Sequence, residues 1–168
     1  MRFYSQKLFG VARRSVTPHR PYHAQWLLTH RCNYRCRGCN VWREKPCEEE
    51  VSTEYVKKGL DVLRKLGVIE IVLSGGNPML RDDIDEIIDY ASRYFLTTIY
   101  DNGSMAVKRL DALRNVDFVA ISLDTLDEKK FDYIRGGDKP PLCFEWWVLD
   151  SRGNVDCRNQ RCKIRKER

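Results

Sequence analysis

The chain has 168 residues, is 42% apolar and carries a formal charge of +6. This length supports one domain with a real core. No apolar run approaches bilayer thickness, and the longest apolar patch near the start, Leu8–Ala12, is too short for a secretory core. The charge is uneven. Nine bases precede the first acid, Glu44, which leaves 21 of the 30 Lys and Arg against all 24 Asp and Glu. Such a front fits a solvated basic tail, an organellar presequence or a surface that steers an acidic partner; nucleic acid is not the expected partner. Seven cysteines without an export signal point to a reducing, cytoplasmic setting rather than to a disulfide framework.

Residues 1–21 read as a basic extension in which Phe3, Lys7–Val11 and Arg13–Arg14 make a short amphipathic helix that Pro18 and Pro21 end. Tyr22–Thr29 reads as a first strand. A cysteine loop with Trp42 and Pro46 follows, and then a helix capped by Ser52 or Thr53 that runs to about Leu66, with Val56, Leu60 and Leu63 on one stripe. Val68–Leu73 is a nearly continuous apolar run, as in a parallel strand covered on both faces. Arg81–Phe95 is the clearest helix, since Ile84, Ile87, Ile88, Ala91 and Phe95 fall at helical spacing and Asp82 and Asp83 suit its positive end. Leu96–Tyr100 follows as a strand, Asp101-Asn102-Gly103 as a turn, and Ser104–Asn115 as a helix with Val107, Leu110 and Leu113 inward. Phe118–Leu123 is a fourth strand, and Asp127–Arg135 a helix stopped by Gly136-Gly137. Four successive β/α units predict an α/β fold, a curved parallel sheet with outer helices and ligands at the C-terminal strand ends. Phe144–Leu149 reads as one short strand or helix in an irregular basic tail over 138–168.

Cys32, Cys36 and Cys39, spaced C-x3-C-x2-C directly after the first strand, place three thiolates on one loop. Three thiolates occupy three corners of a cubane iron–sulfur cluster and leave the fourth iron open, whereas electron carriers are usually held by four. Zinc with Cys47 as a fourth ligand is the alternative, although the gap from Cys39 to Cys47 is wide for a structural zinc site. Cys157 and Cys162 make only a poor C-x4-C pair. Gly75-Gly76 lets backbone approach a ligand closely. Each of these motifs follows a strand, as do Asp101-Asn102-Gly103 and Ser122-Leu123-Asp124; alternation puts Ser122 and Asp124 on one face unless Asp124 caps the next helix.

This ordered set resembles the core of the radical S-adenosylmethionine (SAM) enzymes, a partial (β/α) barrel, over roughly Tyr22 to Gly137. The resemblance implies that Cys32, Cys36 and Cys39 hold a [4Fe-4S] cluster whose open iron binds SAM, and that SAM is cleaved reductively to a 5′-deoxyadenosyl radical that abstracts hydrogen. It implies SAM contacts for Ser74, Gly75, Gly76 and Asn77, in the place of a Gly-Gly-Glu-Pro segment with Asn77 in the position of the glutamate. It also implies them for Asn102, Ser122 and Asp124. Gly38 stands where an aromatic residue is common. The stretch Ile121–Gly136 resembles enzymes of molybdenum-cofactor and peptide-modification pathways. The implied partners are a small-molecule or peptide substrate and an acidic electron donor of flavodoxin or ferredoxin type. Such enzymes normally have six β/α units, so a truncated or frame-disrupted chain is expected; the alternatives are a non-catalytic iron–sulfur or zinc module and an inactive fragment.

Overall fold

The computed structural model describes residues 20–44, 50–125 and 127–136, with the backbones of Trp147–Leu149 and Val155–Cys157. The basic extension over 1–19, Cys47, Cys143 and Cys162 lie outside the described residues. Four strands, β1 (His23–Leu27), β2 (Glu70–Ser74), β3 (Leu96–Asp101) and β4 (Phe118–Ile121), form one parallel sheet in the order β1-β2-β3-β4. Helices α1 (Thr53–Leu66), α2 (Ile84–Ser92), α3 (Leu110–Leu113) and α4 (Glu128–Arg135) alternate with them, as the β/α reading requires. A second, antiparallel pair joins β5 (Trp147–Leu149) to β6 (Val155–Cys157). The tail reading anticipated an element near 144–149 but not the strand at 155–157.

The core lies on the helix-covered face. Ile71, Leu73 and Ile99 meet Val56, Leu60, Ile84, Ile87, Ile88 and Phe95 there, and Trp26 packs against the same cluster. Gly59 makes room for that indole: a Cβ on Gly59 would stand 2.1 Å from the Trp26 ring. Ile71, Val72 and Leu73 are all buried, as a run covered on both faces should be. The opposite face exposes Leu27, Tyr100 and Phe118.

Helix ends follow local chemistry. Ser52 Oγ accepts from the Tyr55 N–H at 3.4 Å, and Gly67 closes α1 in the left-handed region at φ 89°. Asp127 caps α4 by accepting from Lys130 N at 3.0 Å.

Four expectations are corrected. The long helix over 81–95 shortens to α2, because Asp83 makes no cap bond and instead pairs with Arg81, while Pro78–Leu80 forms a 3-10 turn. The helix expected over 104–115 divides into a 3-10 segment, Ala106–Arg109, and the short α3, which turns Ala106, Ala112 and Leu113 inward and leaves Leu110 only partly buried. Asp101 ends β3 rather than opening a turn. Strand β4 stops at Ile121, so Ser122 and Asp124 lie beyond it and share no strand face, and Asp124 does not cap α4 because Asp127 does.

Candidate active site

The C-terminal ends of β1 and β2 are laced together by backbone. Leu28 N donates to Ser74 O at 2.8 Å, Gly76 N to Thr29 O at 2.8 Å and Asn77 N to Arg31 O at 2.7 Å. Side chains at either glycine would break this: a Cβ on Gly75 would lie 2.4 Å from Thr29 O, and one on Gly76 2.2 Å from Arg31 O. Gly75 also sits at φ +137°. The glycines are therefore demanded first by the chain's own approach to the cysteine loop. With the Gly76 and Asn77 N–H groups spent, what this turn still offers an amino group is carbonyl oxygen.

A hydrogen-bonded cluster of amides fills the space beside Cys32. The fully buried Asn77 accepts from Met79 N at 3.0 Å and donates through Nδ2 to Asn102 Oδ1 at 3.0 Å. Asn102 Nδ2 donates in turn to Asn33 Oδ1 at 2.9 Å and to Cys32 Sγ at 3.9 Å. Ser104 closes the ring, its hydroxyl 2.6 Å from Asn102 Oδ1 and accepting from Asn33 Nδ2 at 2.8 Å. Asn77 in the place of a carboxylate is thus a structural joint between the second turn, the third turn and the cysteine loop. Asn33 and Ser104 were not anticipated; the only sequence sign was the position of Asn33 between two of the cysteines.

The cysteine loop is clasped from its other side by the end of α4. Arg35 N donates to Arg135 O at 3.0 Å and Arg37 N to Ile134 O at 2.9 Å, which satisfies two of the carbonyls that a helix C-terminus leaves open. Arg37 also donates through Nε to Tyr133 O and lies 3.9 Å over the Tyr133 ring. Buried Tyr34 meets Phe131 edge-on at 6.0 Å. Gly136, at φ 58°, permits the contact, since a Cβ there would stand 2.6 Å from Arg35 O.

All three cysteines are free thiols, partly buried. Burial pushes the Cys32 thiol up, the Tyr34 N–H opposes this, and the nearby Cys36 and Cys39 push it up again, so the three sulfurs feel one another. Three thiolates so placed need a positive centre. Among the described residues no three His, Cys, Asp or Glu side chains close on a single ion, and Cys47, the fourth ligand of the zinc alternative, lies outside them. A cubane asks less, because each thiolate takes a different iron, and this donor set fits it.

Of the other expected residues, Ser74 ends β2, and Ser122 is exposed with its N–H donating to Asp101 O at 2.9 Å. Asp124 sits 2.6 Å from Arg135 Nε, a close ion pair whose angle is poor for a hydrogen bond, and Arg135 Nη1 donates to Cys36 Sγ at 3.7 Å. Asp101 is buried, which pushes its carboxyl up although the Gly103 and Asn102 N–H groups oppose it. Below the loop, buried Arg81 donates to Leu28 O and Val51 O, both at 2.9 Å, and forks onto Asp83. Arg31 forks onto Glu50, which also accepts from the Thr29 hydroxyl. Outside, Arg35 and Arg43 flank the Trp42 ring at 5.3 and 5.0 Å, which makes the mouth of the loop positive.

Residues 26–142 match the model of the Radical SAM superfamily. The chain belongs to the radical SAM superfamily. Among related proteins, one named probable GTP 3′,8-cyclase from Archaeoglobus fulgidus is 34% identical over 112 residues, 66% of this chain and 38% of that protein. The antilisterial bacteriocin subtilosin biosynthesis protein AlbA of Bacillus subtilis is 32% identical over 121 residues, 69% of this chain and 27% of that one. The radical SAM chain thus spans well under half the length of these relatives. Streptococcus suis SuiB, solved bound to S-adenosylmethionine, superposes with a TM-score of 0.60 at 18% identity over 81% of this chain and 31% of that one. The match establishes the α/β fold of a radical SAM partial barrel. Members of the superfamily bind a [4Fe-4S] cluster and SAM, and no described helix is long and apolar enough to cross a membrane.

Proposed function

We propose that this chain is the cluster- and SAM-binding part of a radical SAM enzyme, with Cys32, Cys36 and Cys39 as the cluster ligands. The observation that carries this is the convergence of the cysteine loop, the Gly75-Gly76 turn and Asn102 at adjacent strand ends, joined by hydrogen bonds rather than merely near in sequence. With a cluster bound there, one electron would be available to cleave the SAM sulfonium to methionine and a 5′-deoxyadenosyl radical.

The chain's own residues do the rest. In the Ser74, Gly75, Gly76 and Asn77 turn, Ser74 O and Asn77 O already accept from Leu28 N and Leu80 N, so the Gly75 and Gly76 carbonyls are the ones read as meeting the amino group of SAM. Asn102 orients Cys32 through its amide, and Ser122 and Asp124, exposed beyond β4, are read as polar contacts for the ribose or carboxylate of SAM. The substrate is read as a small molecule or a peptide: one relative's name carries GTP, and SuiB has also been solved bound to precursor peptide SuiA. The exposed Arg35, Arg37 and Arg43 suit an acidic one-electron donor of flavodoxin or ferredoxin type, since surface charge mainly steers encounter. A reducing cytoplasm would keep the thiols free.

Anaerobic reconstitution with iron and sulfide, followed by electron paramagnetic resonance of the reduced protein, tests this reading. A [4Fe-4S] signal that shifts when SAM is added, with 5′-deoxyadenosine released, is the expected result. A cluster indifferent to SAM, or no cluster, overturns it.

A further inference from the structure

Four arginines lie within the cysteine loop or beside it, yet the described residues direct them elsewhere. Arg31 forks onto Glu50, Arg35 donates to the Cys32 and Tyr34 carbonyls, Arg37 to the Tyr133 carbonyl and Arg43 to the Arg37 carbonyl. The guanidinium that reaches a cysteine sulfur comes instead from Arg135, 99 residues beyond Cys36. It is held on every side. Its own carbonyl accepts from Arg35 N, its ring-side neighbour is Phe131 at 5.9 Å, and Asp124 meets its Nε at 2.6 Å.

Charge is distributed unequally across this pair. The Arg135 side chain is only 11% exposed, whereas that of Asp124 is 46% exposed. Water screens the carboxylate far more than the guanidinium. Cys36 therefore faces a net positive donor. Hydrogen bonds to the sulfurs and local charge are the means by which a protein sets the potential of an iron–sulfur centre.

Resting on the cluster reading above, we infer that Arg135 is a positioning residue that raises the reduction potential of the centre through Cys36, with Asp124 moderating it. Reduction adds one electron from an external low-potential donor and forms or breaks no bond. The added negative charge favours a sulfur that accepts from a buried cation. The clasp thus gives α4 an electronic role beyond fixing the loop.

The test uses the full chain, reconstituted anaerobically and titrated with dithionite without SAM, the reduced signal being read by paramagnetic resonance. Arg135→Gln is expected to disfavour reduction roughly tenfold, about 59 mV downward for a one-electron couple. Arg135→Lys is expected to restore part of that. Asp124→Asn, which leaves the guanidinium without its counter-charge, is expected to shift the potential upward. A purely structural clasp would not give opposite signs. An unchanged potential in Arg135→Gln with the cluster intact, or shifts of one sign in both variants, overturns the inference. Should Arg135→Gln lose its iron, Asp124→Asn decides alone: a rise supports the inference and no rise overturns it. If the parent protein takes up no [4Fe-4S] cluster, the underlying functional reading fails first, and the inference falls with it.

Discussion

Two regions of this fold are stabilised by different means. Around β2 and α2, apolar area dominates: Ile71, Leu73, Ile84, Ile87, Ile88 and Phe95 are all fully buried in one cluster. At α4, Phe131 is the one such side chain among the described residues, and the helix is attached through carbonyls, arginines and an aromatic edge to the cysteine loop. The first region should be indifferent to the cofactor. The second should be ordered together with the cysteine loop, because each supplies the other's hydrogen-bond partners.

Removing a large ring from each region gives the widest separation. Phe95→Ala is expected to cost about 3–5 kcal/mol of global stability in denaturant unfolding. Phe131→Ala should cost less globally, since fewer apolar neighbours surround it, but should expose the Arg35 and Arg37 amides to hydrogen exchange while α2 stays protected. Equal protection of the loop in both variants would erase the distinction.

A smaller effect is expected at the joint between the regions. Gly76→Ala drives a Cβ into the Arg31 carbonyl, and overpacking of this kind costs roughly 1–3 kcal/mol. The cysteine loop is the part free to move, so iron uptake should fall while the far-ultraviolet circular dichroism is retained. Full iron uptake by the variant would show that the loop does not depend on the turn.

The pH dependence should be smallest and of opposite sign in the two regions. For Asp83, near α2, burial raises the carboxyl, but the Arg81 fork and the Thr53 hydroxyl outweigh it and the net shift is downward. Its stabilisation is present above the ordinary carboxyl value of about 3.9 and is lost as pH falls through the folded value. For Asp101, at the site, burial dominates and the shift is upward. Its preference for the folded state is complete below the ordinary value and is lost as pH rises through the folded one. Unfolding curves of Asp83→Asn and Asp101→Asn against the parent should therefore diverge in opposite directions as pH rises. Parallel curves would mean that the two carboxyls share one environment.

Much of this was legible in the linear chain where a residue acts through its immediate neighbours. The spacing of Ile84, Ile87, Ile88 and Ala91 announced α2, and Ser52 and Gly136 announced helix ends, because periodicity and capping are local. The helix expected over 104–115 failed for a local reason too. Val107, Leu110 and Leu113 recur every three residues, a period that the 3-10 helix meets as well as the α-helix does. The end of β4 was misjudged because alternation continues in sequence past the last ladder bond.

What the sequence by itself determined is the cysteine loop: three cysteines at C-x3-C-x2-C after a strand bring three sulfur donors together whatever lies around them. The α/β order followed as well, since alternating apolar periods leave little choice of layer. Only the tertiary structure decided which groups surround those thiolates. The amide ring of Asn33, Asn77, Asn102 and Ser104 and the reach of Arg135 to Cys36 bring together residues up to 99 positions apart. Contacts of that kind depend on strand register and helix placement, which no local pattern encodes.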